Sequence, residues 1–335
     1  MSDQQTSQRT LTDEELFRRR KKSLLTRRAV RLAPAIACAA LGLAYILAAA
    51  LNGYDILIGM QGIVSDACLV ATGATFIFSS GSFDLSLGSN MLISAIVGGL
   101  VCKQTENLFA AVAVCIAVAV SLSVLNSVLA SFFNLPVFIM TIVMMNVYSS
   151  VATLMITLFG TNAKISVPMR LVRDLNTTSF RIILLAVFEI FCCFLFYFTK
   201  LGRKERFLGG NPVCARLSGI GAKKLTVLSF ALAGIGIGLA AFAMIVETPT
   251  ISSSSGSAVG MNMLIALVFG GMDMNGGPES KMYSALLGAF SMAFLDSFMN
   301  IYVTGSWYLQ IVKGILFVTV VALFSIGNRS RILRR

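Results

Sequence analysis

The chain has 335 residues, of which 56% are apolar and 13% are charged, and its mean hydropathy is +0.83. A soluble domain carries about 25% charged residues, so this composition excludes an ordinary soluble protein. The formal net charge of +12 predicts basic cytoplasmic loops of a membrane protein, and no nucleic acid partner. The chain has no histidine, which excludes histidine proton relays, histidine metal sites and Ser-His catalysis.

Residues 1–31 form the only extended polar terminus. The stretch "TDEELFRRRKKSLLTRRAVR" begins with a capping-box pattern from Thr12 to Glu15 and continues as a basic amphipathic segment. It predicts a helix that lies on anionic membrane lipid at the cytoplasmic surface. A basic flank that only anchors the first span is the alternative.

Long continuous apolar runs follow this terminus. A bilayer-spanning helix needs about 20 predominantly apolar residues, and continuous runs indicate helices and not barrel strands. The sequence therefore predicts an all-α integral membrane protein whose permease domain covers 32–326. We expect about ten spans, at residues 32–51, 56–78, 87–102, 108–133, 137–160, 180–199, 225–247, 258–271, 282–304 and 306–326.

The third and eighth of these spans are short for a full crossing. Each follows a break rich in glycine and serine, "SSGSFDLSLGS" at 79–89 and "TISSSSGSAVG" at 250–260. Irregular backbone at membrane depth occurs only where it is buried in protein or lines a wet cavity. These two short or broken helices are therefore candidates for the walls of a translocation path.

Lysine and arginine are distributed unevenly between the two sides of this topology. Nine of them precede the first span, seven lie in the loop 200–224 and four lie in the tail 327–335. Positive charge accumulates on the cytoplasmic side. We therefore expect the loop 200–224 and both termini to be cytoplasmic.

The sequence contains an internal repeat. "NMLISAIVGG" at 90–99 matches "NMLIALVFGG" at 262–271, and the sequences at 125–140 and 295–310 match at nearly the same offset. Five spans separate the copies, an odd number, so the copies are inverted in the membrane. Inverted repeats with interrupted helices are typical of transporters. We place the first copy at about 56–160 and the second at about 225–326.

Motifs for catalysis and nucleotide binding are missing. The sequence has neither a Walker A pattern nor a Gly-x-Ser-x-Gly elbow, and its seven cysteines show no zinc spacing. We expect no enzyme activity, no cofactor and no metal on this chain.

Ionisable residues inside apolar spans are costly and therefore candidates for function. Asp66, Glu189, Asp296 and Lys313 fall in spans. They leave open a secondary carrier powered by an ion gradient, while Asp296, which aligns with Asn126 in the repeat, favours structural pairing. Asp84, in the first break, favours a capping role at the next helix over a direct role in the path.

Several motifs resemble those of the permease subunits of ribose/galactose-type ABC importers. "GSFDLSLGS", "LPVFIMTI", "LGGNPVCARLSGI" and "LVFGGMDMNGG" are similar to four family motifs and occur in the same order, and the resemblance covers about 35–327. Val213, Cys214, Ser82 and Met272 depart from the family pattern. The resemblance implies a multi-pass permease of the bacterial inner membrane.

The resemblance also implies partners. In such permeases the cytoplasmic Gly-Gly-Asn-Pro segment forms a short coupling helix that docks on a separate ATPase subunit, which holds ATP and magnesium. The implied contact residues are Asn211, Ala215, Arg216, Leu217, Ser218 and Gly219. Pro212 suits the first turn of such a helix and Gly219 suits its end.

The resulting hypothesis is an importer of a small polar solute, most simply a monosaccharide. A second permease, identical or not, would enclose the path with this one, and an extracytoplasmic solute-binding protein would deliver the solute. The candidates for lining the path are Asn90, Asn262, Phe138 and, less favoured, Asp84. The alternatives are nucleosides or a furanosyl signal molecule as solute, an ion-coupled carrier, or a scaffold that transports nothing.

Overall fold

A computed structural model describes residues 34–54, 66–256, 259–272, 276–278, 280–302, 308, 311–315 and 318–319. Within this part of the chain the fold is helical except for one two-residue strand pair. The elements are α1 (Pro34–Asn52), α2 (Asp66–Ser79), α3 (Leu87–Thr105), α4 (Leu108–Phe132), α5 (Val137–Phe159), β1 (Ile165–Ser166), α6 (Met169–Val172), α7 (Thr178–Phe198), α8 (Lys200–Gly210), α9 (Pro212–Leu217), α10 (Ala222–Glu247), β2 (Thr250–Ile251), α11 (Val259–Phe269) and α12 (Met282–Tyr302). Residues 311–315 are helical as well.

Helix α10 lies at the centre of the described fold and packs against α4, α2 and α3. Its glycines allow this close approach. A Cβ atom at Gly234 would come 2.6 Å from the Cα of Val120, and one at Gly238 would come 2.5 Å from the Cα of Ile116. Small residues let apolar helices pack backbone to backbone in a membrane. The sequence "GIGIG" therefore belongs to the most buried of the six described helices that are long enough to cross a membrane.

The outer helices have the opposite character. Six described helices are long and apolar enough to cross a membrane, namely α1, α4, α5, α7, α10 and α12. In α4, α5 and α7 fewer than a third of the residues are buried, although their hydropathy matches that of α10. Apolar side chains that point away from the protein are the surface that lipid covers. The chain is thus an all-α, multi-pass membrane protein, as the sequence predicts.

The predicted spans and the observed helices agree closely in the middle of the chain. Helix α3 is longer than the predicted third span and has 19 residues, while α11 is short, as predicted, with 11 residues. The predicted cytoplasmic loop 200–224 is itself mostly helical, because it contains α8 and α9. The segment 1–31 and the tail 327–335 lie outside the described residues, and the total of ten spans and the domain boundaries stay predictions.

The two breaks meet inside the bundle. Helix α3 begins level with the middle of α4, since Asn90 donates to the Ala119 carbonyl at 3.1 Å. A Cβ atom at Gly256, in the second break, would lie 2.6 Å from the carbonyl oxygen of Gly88, at the start of α3. The breaks 79–89 and 250–260 are thus in direct contact, far from each other in sequence.

Helices α3 and α11 leave this meeting point in opposite directions. Gly99, near the end of α3, faces Ile251 of the β1–β2 pair. Residues 276–278, which follow α11, contact α8 instead. We call these two ends of the bundle the sheet end and the α8 end. The opposite directions fit an inverted repeat, although the repeat itself stays a prediction.

Candidate functional site: a docking helix, two helix breaks and a polar stripe

The predicted coupling segment folds as a short, well-capped helix. The Asn211 side chain accepts hydrogen bonds from the backbone N–H groups of Val213 and Cys214, at 3.1 and 3.0 Å. Pro212 opens α9, where its missing N–H costs nothing. Gly219 follows the helix with φ +76°, a left-handed conformation that glycine adopts readily. The local features predicted from the sequence are confirmed.

Helix α9 is held by one side chain and exposes the others. Ala215 is fully buried against Leu208 and Leu225, at the base of α8 and α10. Val213 and Leu217 are 67% and 84% exposed, and Arg216 is exposed between them. An exposed apolar pair with an arginine is typical of a protein–protein contact. Asn211, Ala215 and Gly219 therefore shape the helix, while Leu217 and Arg216 face outward.

Helix α8 carries a buried carboxyl group among basic residues. Glu205 is fully buried, and its Oε1 accepts a hydrogen bond from the Ser229 hydroxyl of α10 at 2.7 Å. The Ser79 hydroxyl of α2 lies 3.5 Å from Oε2. Burial raises the pKa of Glu205 to about 8, and Arg206 opposes the rise only weakly. This group had no role in the sequence-based hypothesis, because "GRKERF" reads as a solvated basic helix.

The first break is organised by Asp84. Its Oδ1 accepts hydrogen bonds from the backbone N–H and from the hydroxyl of Ser86, both at 2.7 Å. Asn126 donates to the same hydroxyl, and Tyr148 donates to Asn126 at 2.8 Å. Asp84 is fully buried. Asp84 thus holds Ser86, the residue that precedes α3, and no side-chain hydrogen bond caps the described helix itself. The capping role of Asp84 and a direct role in the path both stay predictions.

The paired asparagines of the repeat have different surroundings. Asn90 is fully buried and donates to the Ser123 hydroxyl at 2.9 Å, within the α3–α4 interface. Asn262 is half-buried and accepts from Lys313 at 3.3 Å. Asn90 thus acts as a helix-packing residue in this structure, and its predicted place in the path would require a conformational change.

The intramembrane charges are mostly paired. Lys313 donates to Asp296 at 2.9 Å, which agrees with the structural pairing predicted for them. Glu189 of α7 accepts from the Thr72 hydroxyl of α2 at 2.8 Å. At the sheet end, Arg181 forms an ion pair with Glu247 at 3.3 Å. Among the described residues no group of three or more metal-ligating side chains occurs.

Phe138 ends a row of aromatic rings beside the first break. Its ring centroid is 6.4 Å from that of Phe83, which in turn lies 4.8 Å from that of Phe78, both edge to face. Phe78 is buried, whereas Phe138 is 45% exposed. The break is therefore wedged between aromatic residues, and Phe138 offers a ring to whatever lies outside this chain.

Sequence reasoning missed one feature, a polar stripe on α5. The stripe consists of five exposed residues on one side of this spanning helix, namely Asn146, Ser149, Ser150, Thr153 and Thr157. An adjoining exposed side is apolar and contains Val143, Val147, Val151, Leu154 and Leu158. The spacing of three, one, three and four residues is the signal that could have found the stripe.

The stripe does not pack against the other described residues of its own chain. Asn146, Thr153 and Thr157 bond only to backbone carbonyls one turn earlier in α5, at 2.9 to 3.0 Å. Their remaining polar atoms face outward. An asparagine that faces lipid is unfavourable, so this side of α5 suits a second protein surface or water better than acyl chains.

Comparison with known proteins gives relatives of one kind. The family described as "Branched-chain amino acid transport system / permease component" matches residues 56–321. The chain is 28% identical over 257 residues to the ribose import permease protein of Escherichia coli (strain K12), covering 74% of this chain and 78% of that protein. It is 27% identical over 271 residues to the ribose import permease protein of Bacillus subtilis (strain 168), covering 76% and 80%.

A third relative matches in part. The chain is 31% identical over 144 residues to the xylose transport system permease protein of Haemophilus influenzae, covering 43% of this chain and 38% of that protein. No solved structure matches the chain. The resemblance to ribose-type permeases, seen first in four short motifs, is confirmed over most of the sequence.

Proposed function

The chain belongs to the family of branched-chain amino acid transport system permease components, and from this premise we propose that it imports a monosaccharide as the membrane-spanning subunit of an ABC importer. The ribose and xylose permeases among its relatives support a monosaccharide. The observation that carries the proposal is the polar stripe of α5, because hydroxyl and amide groups are suitable partners for a polyhydroxylated solute. Phe138 adds an aromatic ring about 12 Å away along the helix axis.

The path is proposed to lie between two permease subunits. The polar stripe faces away from the described residues of its own chain, and a second permease would enclose it in protein. The first break lies beside Phe138, and the second break contains Gly256. Both supply irregular backbone of the kind that lines wet cavities. An extracytoplasmic binding protein would dock at the sheet end, which the charge distribution places outside, and both termini would be cytoplasmic.

Energy is proposed to come from a separate ATPase chain. Helix α9 presents Leu217 and Arg216 at the α8 end, where the basic loop 200–224 is expected to face the cytoplasm. An arginine fork can bind carboxylates or carbonyls of a partner. ATP and magnesium would bind to that partner, and no catalytic role is assigned to this chain. Closure of the ATPases would move α9 as a rigid element and shift the permease between two states.

Purification of the tagged chain from native membranes tests this proposal, with the co-purifying chains identified. We expect an ATPase to accompany the parent, and Arg216→Glu to reduce its recovery at least about tenfold. Lys164→Glu, a charge reversal at an exposed position of the sheet end, is the matched control and should leave recovery unchanged. An equal loss with both variants, or no ATPase with the parent, would contradict docking at α9.

A further inference from the structure

The end of α8 contacts the first break and the segment that follows α11 at one place. We call residues 79–81, 209–210 and 276–278 the glycine junction. The N–H group of Gly277 donates to the Ser79 carbonyl at 3.0 Å. A Cβ atom at Gly209 would come 2.7 Å from the Gly277 nitrogen and 3.1 Å from the Gly81 nitrogen. Backbones this close leave no room for side chains at these positions. Movement of one segment therefore either carries the other two segments with it or breaks these contacts.

The junction lies between the docking helix and the breaks. Residues 79–81 end α2 and begin the first break, and residues 276–278 connect α11, which follows the second break, to α12. Residues 209–210 lead directly into Asn211, the cap of α9. A displacement of α9 therefore reaches the first break directly through residues 79–81, and the second break only through the length of α11.

Glu205 fastens α8 to the two helices beneath this junction. It is one turn before Gly209, and its carboxyl group lies between Ser229 of α10 and Ser79 of α2. Both serine hydroxyls also have a backbone carbonyl in reach, Leu225 at 3.0 Å and Phe76 at 2.9 Å. A neutral Glu205 can donate its own proton to one serine, whose hydroxyl then donates to its backbone carbonyl, while the other serine hydroxyl donates to the remaining oxygen of Glu205.

On the basis of the proposed function, we propose that Glu205 is a positioning residue that transmits movement of α9 to the first helix break. Without its carboxyl group, α8 would lose its side-chain hydrogen bonds to α2 and α10, and α9 could move while residues 79–86 stay behind. Long-range coupling of this kind requires a contiguous, rigid connection with two arrangements. Leu208 and Ala215 attach α9 to α8, and Glu205 attaches α8 to α2 and α10.

Hydrogen–deuterium exchange of the co-purified complex, with and without Mg-ATP, tests the inference. In the parent we expect Mg-ATP to change exchange both at 207–219 and at 80–86. In Glu205→Ala the change at 207–219 should persist, whereas the change at 80–86 should shrink about tenfold, within the usual range of coupling between sites. The isosteric Glu205→Gln should retain most of the response, because an amide can donate to the same serines.

Two further variants keep the test decisive. Glu189→Gln removes another half-buried carboxyl group bonded to α2, through Thr72, but lies outside the junction and should respond like the parent. If Glu205→Ala does not fold, Ser229→Ala decides, since it removes the shortest hydrogen bond to Glu205. It should reduce the change at 80–86, and a response at 80–86 equal to that of the parent would overturn the inference.

The outcomes separate the inference from the function on which it rests. If Mg-ATP changes nothing at 207–219 in the parent, docking at α9 fails and the inference fails with it. If 207–219 responds and Glu205→Ala transmits to 80–86 as the parent does, the importer proposal stands and only the role of Glu205 is overturned.

A pH profile distinguishes positioning from simple packing. The raised pKa of Glu205, about 8, means that the neutral acid predominates at pH 7 and is lost as pH rises through 8. Arg206 is the charged neighbour that acts on it, and the groups facing it from α2 and α10 are the uncharged Ser79 and Ser229. Transmission in the parent should fall between pH 7 and 9, and in Glu205→Gln it should not change. If transmission changes with pH in the same way in the parent and in Glu205→Gln, the positioning role of Glu205 is contradicted.

Discussion

At the scale of single residues, several charges in the described part of this membrane protein are held in ion pairs. Lys313 is buried, and its ammonium group contacts Asp296 and Asn262. In the corresponding region of the first copy, Asn126 bonds to the hydroxyls of Ser86 and Tyr148 without any ion pair. One copy of the proposed repeat therefore uses a neutral network where the other uses an ion pair. Such pairing indicates that these charges are structural. An ion-coupled carrier that used them would have to break the ion pair.

Removal of one partner should show this role. We expect Asp296→Asn to destabilise the protein by about 3 kcal/mol, since it leaves the Lys313 charge buried and unpaired. The combined change Asp296→Leu and Lys313→Met should recover most of the loss, because no buried charge remains. The apparent melting temperature in detergent is the measurement, with sugar uptake as a second readout. A double variant less stable than the single one would contradict a purely structural pair.

The charge state of Glu205 makes its own contribution to stability. Because folding raises the pKa of this group from 4.5 to about 8, the folded protein binds the proton more tightly than the unfolded chain. Its stabilising contribution is therefore fully present below pH 4.5 and is lost as pH rises through about 8. Glu205→Gln should flatten this part of the stability profile between pH 5 and 9, measured as apparent melting temperature. If the stability profile of Glu205→Gln equals that of the parent, a group other than Glu205 causes this pH dependence.

At the scale of elements, α5 shows how one helix serves three environments. Its buried side includes Tyr148 and packs in the fold, one exposed side is apolar, and the polar stripe lies between. An apolar exposed side suits lipid, whereas the stripe suits a wet path. The three sides follow from a 3.6-residue period that places Asn146, Thr153 and Thr157 within one narrow sector.

Uptake experiments test the stripe. We expect Asn146→Leu and Thr153→Val to lower the rate of D-ribose or D-xylose uptake about tenfold, because each removes a hydrogen-bonding group from the proposed path. Val147→Leu, on the apolar side of the same helix, is the matched control. Membrane levels of each variant should be compared by immunoblot. Uptake that falls only with the control, or with none of the variants, would contradict a path along this stripe.

At the scale of the whole molecule, the fold is built around the glycines of α10. Gly234 and Gly238 let α4 approach α10 to backbone contact, while the outer helices leave their apolar sides to lipid. Because the backbones of α4 and α10 touch without side chains between them, no space is left for an added group. Overpacking of this interface therefore affects α2, α3 and α4 together.

A valine at the centre should disrupt assembly. We expect Gly238→Val to lower the yield of monodisperse protein several-fold, since its Cβ atom would come 2.5 Å from the Ile116 backbone. Gly221→Ala, at the start of the same helix, has open space and an ordinary backbone angle and should behave like the parent. Size-exclusion chromatography in detergent gives the readout. Equal elution profiles for Gly238→Val and the parent would mean that α4 and α10 can move apart without destabilising the protein.

Much of this protein is determined by its sequence alone. Continuous apolar runs predict membrane helices, because transfer of the backbone into lipid requires that every N–H and C=O be paired within the segment. Caps are equally local: Pro212 and Gly219 suit the two ends of the short helix that the family resemblance implies, and α9 begins and ends there. The Gly/Ser-rich breaks were visible for the same reason. The family motifs coincide with these caps and breaks along the chain.

Only the tertiary structure decided which surfaces face each other. The length and hydropathy of α4, α5 and α7 predict that these helices cross the membrane, but not which side of each packs in the fold and which faces lipid. Packing selected the outward side of α5 and thereby exposed Asn146. Packing also buried Glu205, whose partners Ser79 and Ser229 are 126 and 24 residues away in sequence. Caps and hydropathy depend on near neighbours, whereas helix contacts depend on shape across the whole bundle.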